Sequence, residues 1–265
     1  MIDPRNLGRR GFLKFGAAAS FATPVAVGSS AEPKPAPFDG YAFPPPAEIS
    51  LPIVGSDRRF PVRRIHGLGR NYPALFREQG LDPKTSPPIF FSKHRDAIVQ
   101  DGDTIRYPLL TKEFRHEVEL VVLMKSGGAK IPAEEALDHV YGYAVGLDMT
   151  RWDLLQDAKN HGGPWEFGKS FDEAAPCAAI RPVSKVGHVN AGKIKIDVNG
   201  QTRVEADLRD MIWKVPDIIS HLSAAVALEA GDVIYTGTPG TGLVNSGDRM
   251  VGEIEGLGSI TIAIA

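Results

Sequence analysis

Residues 117–124 read Glu-Val-Glu-Leu-Val-Val-Leu-Met, an apolar run interrupted only by two acids near its start. The pattern reads as a strand, and a strand sends every second side chain to the same face. Glu117 and Glu119 therefore share one face, about 6.6 Å apart along the chain, while Val118, Leu120 and Val122 fill the other. Two neighbouring carboxylates repel, and burying them without partners is costly. The sequence leaves two solutions: a divalent cation against the acidic face, or a strand at a sheet edge with that face in water. His116 before them begins a zinc-protease pattern, but Leu120 stands where the second histidine of HExxH belongs, so that motif is absent.

A third acid, Asp148, ends the apolar stretch 141–147, and Lys169 follows Pro164-Trp-Glu-Phe-Gly168. Three oxygen donors with no nearby cysteine favour a hard ion, Mg2+ first and Mn2+ or Ca2+ next. The lone Cys177 cannot form an intrachain disulfide and reads as a small core residue.

With 265 residues, 43% of them hydrophobic, the chain can close a sizeable core. Its 30 basic residues nearly balance 32 acidic ones, so no basic field awaits a polyanion and nucleic acid is not an expected partner. That balance hides two regions. Residues 1–31 carry Arg5, Arg9, Arg10 and Lys14 against Asp3, then an apolar run at 15–27, then Gly28-Ser-Ser-Ala31. This is the order of a secretory signal, and Arg9-Arg10-Gly11-Phe12-Leu13-Lys14 resembles the twin-arginine export motif. The apolar run has 13 residues, against roughly 20 for a bilayer span, so no permanent membrane anchor is expected. The expected organisation is a twin-arginine-type signal peptide over 1–31, a proline-rich tether over 32–47 and one catalytic domain over 48–265. The twin-arginine machinery is the expected export partner and the periplasm, or another exported location, the expected destination. Removing residues 1–31 leaves a formal charge of about −5, a mildly acidic mature protein.

From residue 48 onward short strand-like and helix-like stretches alternate. Strands are expected over 61–68, 88–92, 117–124, 141–147, 193–198, 202–205, 233–236 and 259–264, with a hairpin turn at Asn199-Gly200. Helices are expected over 73–79, 132–140, 153–159 and 215–227. Strands outnumber helices, and their irregular spacing argues against a βα barrel. The fold class is α+β and strand-rich.

In chain order, His116-Glu-Val-Glu-Leu-Val-Val122, Tyr141-Gly-Tyr-Ala-Val-Gly-Leu-Asp-Met-Thr150, Gly163-Pro-Trp-Glu-Phe-Gly-Lys-Ser-Phe-Asp172 and Tyr235-Thr-Gly-Thr-Pro239 resemble the fumarylacetoacetate hydrolase family. Within it they are most similar to the bacterial fumarylpyruvate hydrolase and acylpyruvase branch. Residues 65–72, 87–93 and 207–213 also fit, so the likeness covers roughly 60–264. The resemblance implies a mixed β-roll of the family's C-terminal-domain type, assembled as a homodimer. It implies Glu117, Glu119 and Asp148 as Mg2+ ligands and Lys169 as a catalytic cation that stabilises negative charge on a substrate oxygen. Thr238 and Gly237 would hold a substrate carboxylate, and Arg70 and Tyr72 would bind substrate near a lid. The implied reaction is hydrolysis of a carbon–carbon bond in an acylpyruvate or related 1,3-diketo acid, a small keto acid, with release of pyruvate.

The chain departs from the family pattern at three polar positions. The family's lid histidine is replaced by Leu75, although Glu78 stands where the accompanying catalytic glutamate is expected. Trp152 and Leu155 stand where an arginine and a glutamine are usual. A leucine cannot accept a proton, so water activation falls to Glu78 alone or to a histidine from elsewhere, with His66, His94, His116 and His161 available. Two alternatives to hydrolysis follow: a decarboxylase or tautomerase of a keto acid on the same metal site, or an exported metal- and ligand-binding protein with a degenerate active site.

Overall fold

The structure, a computed structural model, describes residues 41–78, 82 and 86–265, without the side chains of Leu75, Arg77 and Glu78. The expected signal peptide and residues 32–40 of the expected tether lie outside the described residues. The chain divides into two units, Met1–Pro46 and Ala47–Ala265. Of the first, residues 41–46 are exposed and form no helix or strand. No helix among the described residues is long and apolar enough to cross a membrane.

The second unit opens with a hairpin of β1 (Ser50–Ile53) and β2 (Ser56–Pro61). Strand β3 (Ile65–Gly69) leads into helix α1 (Pro73–Glu78), and β4 (Ile89–Lys93) returns antiparallel to β3. Short strands β5 (Ile98–Val99) and β6 (Thr104–Ile105) precede the long β7 (Phe114–Met124). Then come β8 (Val140–Leu147), β9 (Thr150–Arg151), helix α2 (Trp152–His161), the single-turn α3 (Glu166–Lys169), β10 (Ala175–Pro176), β11 (Arg181–Pro182) and the short α4 (Val183–Val186). The hairpin of β12 (Lys193–Val198) and β13 (Gln201–Asp207) turns at Asn199-Gly200, as the sequence predicts. Helix α5 (Val215–Ala225) is followed by β14 (Val233–Tyr235), β15 (Thr241–Leu243), β16 (Arg249–Ile254) and β17 (Gly258–Ile264).

Two sheets carry the fold. One runs β11-β8-β7-β14-β3-β4, with β9 and β15 also paired to β7; the other runs β13-β12-β16-β17-β6. Strand β7 is thus interior, antiparallel to β8 over residues 118–124, to β14 over residues 121–123 and to β9 and β15 at its start. This excludes the sheet-edge solution for Glu117 and Glu119. The second sheet packs on the apolar face of β7 and β8. At Gly252 of β16 the sheets approach so closely that a methyl group would lie 3.2 Å from Val118 and Leu147. The opposite face of β7 carries the acids.

Two expectations need correction. Residues 132–140 do not form an α-helix: turns lead into a 3-10 helix at Ala136–His139, built on bonds such as Ala136 N–H to Ala133 and Asp138 N–H to Glu135. With β8 beginning at Val140, the tighter 3-10 winding covers more length per residue than an α-helix would. The expected strand over 61–68 is broken at Val62–Arg64, where the chain passes from the β1–β2 hairpin to the main sheet. There Val62 N–H donates to Ile49 and Arg63 N–H to Gly231.

Candidate metal centre and active site

β7 and β8 lie antiparallel, and the turn that follows β8 brings Asp148 back to the acidic face: its N–H donates to the Glu117 carbonyl at 2.8 Å. One carboxylate oxygen from each of Glu117, Glu119 and Asp148 lies within 4.8 Å of the others. All three residues are buried. Gly237 N–H donates to Glu119 Oε2 at 2.7 Å, while Glu119 Oε1 is buried with no hydrogen-bond partner among the described residues. Three converging carboxylates, one with an unsatisfied buried oxygen and none accompanied by sulfur or imidazole, fit a hard divalent cation.

Two lysines offset the acids. Lys169, at the end of α3, donates to Glu117 Oε2 at 2.7 Å, Asp148 Oδ2 at 2.6 Å and Thr150 Oγ1 at 2.7 Å. Lys93, at the end of β4, contacts Asp148 Oδ1 at 2.7 Å and donates to the Met149 carbonyl at 3.0 Å. Burial alone would depress Lys169, but Asp148 and Glu117 outweigh it and hold the ammonium above the usual lysine range. Burial would raise Asp148, yet Lys169 and Lys93 pull it below its usual value. Glu119 is pushed well upward by burial and by Asp148 and Glu117. Three carboxylates and two ammonium groups leave one formal negative charge, which a divalent cation turns to one positive charge, suited to an anionic ligand.

Glu117 and Lys169 face a pocket walled by Arg70, Trp152, Leu155, Lys159, Trp165 and Thr238 among others. Arg70 sits at φ 63°, an uncommon conformation for a residue with a side chain. The next residue fixes it: Asn71 donates to the Trp213 and Thr236 carbonyls at 3.0 and 2.8 Å and accepts from Trp213 N–H at 2.8 Å. Thr238 Oγ1 donates to the Gly240 carbonyl at 2.7 Å. Gly237, at φ 93°, leaves no room for a side chain, since a Cβ would lie 2.7 Å from that of Asn71. Its N–H is directed to Glu119 rather than into the pocket. Tyr72 is buried with its hydroxyl unpaired among the described residues; it lines a neighbouring cleft with Pro73, Asp210 and Pro239.

Residues 64–265 match the fumarylacetoacetate (FAA) hydrolase C-terminal family. The chain belongs to the fumarylacetoacetate hydrolase family. Among solved structures it is similar to the fumarylpyruvate hydrolase of Pseudomonas aeruginosa in complex with Mn2+ and pyruvate, at 45% identity and a TM-score of 0.83, covering 85% of this chain and 99% of that one. Among curated proteins it is 38% identical over 185 residues to the fumarylpyruvate hydrolase of Ralstonia sp, 69% of this chain and 96% of that protein. It is also 38% identical over 203 residues to the mitochondrial oxaloacetate tautomerase FAHD1 of Homo sapiens, 76% of this chain and 91% of that protein. The strand-rich mixed sheets are those of the fumarylacetoacetate hydrolase fold.

Set in this family fold, the expected site residues fall into three groups. Glu117, Glu119, Asp148 and Lys169 converge, and Arg70 and Thr238 line the same pocket. Tyr72 and Gly237 adjoin the site without facing the pocket. Glu78 ends α1, with its side chain outside the described residues. None of His66, His94, His116 and His161 lines the pocket; burial holds His116 down to about 4, with both ring nitrogens unpaired among the described residues. Sequence reasoning missed Lys93, Asn71 and Lys159 as site residues. A lysine closing the apolar strand Ile-Phe-Phe-Ser was the available signal for Lys93. Lys159 follows Trp152 by seven residues, two helical turns on the same face.

Proposed function

We propose that this protein is a divalent-metal-dependent hydrolase that cleaves a carbon–carbon bond in acylpyruvates or related 1,3-diketo acids and releases pyruvate. The observation that carries this reading is the buried carboxylate triad with Lys169 bridging two of its members at 2.6 and 2.7 Å. Glu117, Glu119 and Asp148 would hold the ion, whose chemistry when bound is to polarise the substrate's keto oxygens. Mg2+ or Mn2+ suits the donor set, and the Pseudomonas aeruginosa relative is in complex with Mn2+.

The chain's own contribution is electrostatic and steric. Lys169, kept protonated by its two carboxylates, sets a fixed positive charge where an enolate oxygen develops as the bond to the pyruvate portion breaks. Trp152, Leu155 and Trp165 wall the pocket and restrict water. Thr238, its loop held by the bond to Gly240, orients the substrate carboxylate. Glu78 takes the proton of the attacking water, without the histidine that would share this task at position 75. The export segment fits a protein delivered folded to the periplasm.

The test is incubation of the purified mature protein with Mg2+ or Mn2+ and a panel of acylpyruvates, with pyruvate assayed directly. Silence across the panel from metal-loaded protein overturns the reading. A second reading, keto acid tautomerisation, is favoured by Leu75, because proton shuttling on one substrate needs no activated water. Keto–enol interconversion of oxaloacetate without pyruvate formation would select it.

A further inference from the structure

An ammonium group has three N–H donors, and in Lys169 all three are engaged. Glu117 Oε2 takes one at 2.7 Å, Asp148 Oδ2 another at 2.6 Å and Thr150 Oγ1 the third at 2.7 Å. The side chain is buried, and the Phe91 ring, its centre 4.8 Å from Nζ, covers it without offering a conventional acceptor. That ring has its place because Gly67, its register partner in the sheet, lacks a side chain; a Cβ there would collide with it. Lys169 also lines the pocket, so a ligand oxygen can approach it, yet in the resting arrangement it has no N–H left to give.

The three acceptors are not equivalent. The bonds to Glu117 and Asp148 join opposite charges, and in a buried site Coulomb attraction adds to the hydrogen bond. Thr150 is neutral, so its bond is the most readily exchanged. It is fully buried and is not part of the pocket wall, held in β9 opposite Arg115 of β7. Its own hydroxyl proton goes to the Asp148 carbonyl at 3.3 Å. That bond leaves the oxygen free to accept from Lys169, and it keeps the hydroxyl from being orphaned when Lys169 turns to another acceptor.

We propose that Thr150 is a positioning residue that holds the third N–H of Lys169 in the resting protein and yields it to the ligand oxygen on which negative charge develops. It acts through Lys169 and does not itself touch the ligand. This deepens the keto acid reading above and rests on it in one respect, that a keto acid oxygen comes to Lys169. The role has a directional consequence. A hydroxyl that competes with the ligand for one N–H weakens ligand binding, so its removal strengthens binding while leaving the empty site with an unsatisfied buried donor. Loss of a merely structural contact would weaken both.

The test compares Thr150→Val, which keeps the shape and lacks the hydroxyl, with Thr150→Ser, which keeps the hydroxyl. Thr150→Ala removes the same hydroxyl with less bulk and should act in the same direction as Thr150→Val. Oxalate, a stable anion with the planar oxygen arrangement of a pyruvate enolate, is titrated calorimetrically into the Mn2+-loaded protein. The expected result is oxalate binding about fivefold tighter in Thr150→Val, and within about twofold of the unmodified protein in Thr150→Ser. The Tm of Thr150→Val should fall, and its Mn2+ affinity without oxalate should change less than about twofold. Unchanged or weaker oxalate binding in the folded Val and Ala variants overturns the proposal. So does an equal gain in Thr150→Ser, or a Mn2+ affinity that rises in step with that of oxalate, since the effect would then belong to the metal centre. Because oxalate is not cleaved, the gain in a protein that releases no pyruvate from acylpyruvates sustains the role of Thr150 while defeating the hydrolase reading; pyruvate release without the gain does the converse.

Discussion

Lys93 Nζ lies 2.7 Å from Asp148 Oδ1, and neither side chain is exposed to solvent. The pair fixes the orientation of an acid whose other oxygen contacts Lys169. Replacing Lys93 by Met removes that anchor and leaves the Met149 and Lys169 carbonyls short of a donor. Loss of one partner of a buried pair costs about 3–5 kcal/mol. We expect urea denaturation to show a loss of that order for Lys93→Met, and calorimetry to show Mn2+ affinity falling about 10–100-fold.

Glu119→Gln should act in the opposite direction on the metal-free protein. Glu119 is pushed above its ordinary value of 4.5 by burial and its acidic neighbours, so the folded state binds its proton more tightly than the unfolded chain. Stability of the metal-free protein should therefore decline as pH rises from about 4.5 through the raised value. Melting curves in EDTA are expected to show that decline in the unmodified protein and a flatter profile in Glu119→Gln. Added Mn2+ should raise the Tm of the former and leave that of the latter unchanged.

At Gly168 a Cβ would lie 2.8 Å from Leu155 Cβ and 2.9 Å from its Cα and N. Backbone cannot yield as a side chain tip does, so Gly168→Ala must push α3 away from α2 and carry Lys169 with it. A stability loss of about 1–3 kcal/mol is expected, with a fall in kcat larger than any change in KM. A variant as stable and as fast as the unmodified chain would show that the position of α3 is not critical.

Leu75 and Leu155 are the places to restore polarity. Leu75→His with Leu155→Gln should raise kcat for acylpyruvate hydrolysis about 100-fold if water activation limits the present chain. Pyruvate release by the double variant at the unmodified rate would show that Glu78 already suffices, and would end the degenerate-site alternative.

What the sequence disclosed follows from how local each signal is. The apolar alternation of β7, the Asn199-Gly200 turn and the spacing of Ile218, Ile219 and Leu222 on α5 are properties of neighbouring residues, and the structure has the expected elements there. The acidic pair was visible as a conflict, but only the pairing of β7 with β8 and β14 decided that it is buried. Lys93 reads locally as the polar end of a strand; its meaning comes from Asp148, 55 positions away in the chain, and no periodicity records that contact. Lys159 is hidden for the same reason, since Trp165 reaches it across the α2–α3 turn.

The four-way pairing of β7 places the acids in the interior of the main sheet, whereas Trp152, Leu155 and Lys159 ride on a ten-residue helix outside the sheet. The metal-binding acids and the pocket wall on α2 thus belong to different elements, joined through the contact of α2 with α3 at Leu155 and Gly168. Redesign of the pocket wall can work on the Trp152 side of α2, provided the Leu155 backbone that seats α3 and Lys169 is left as it stands.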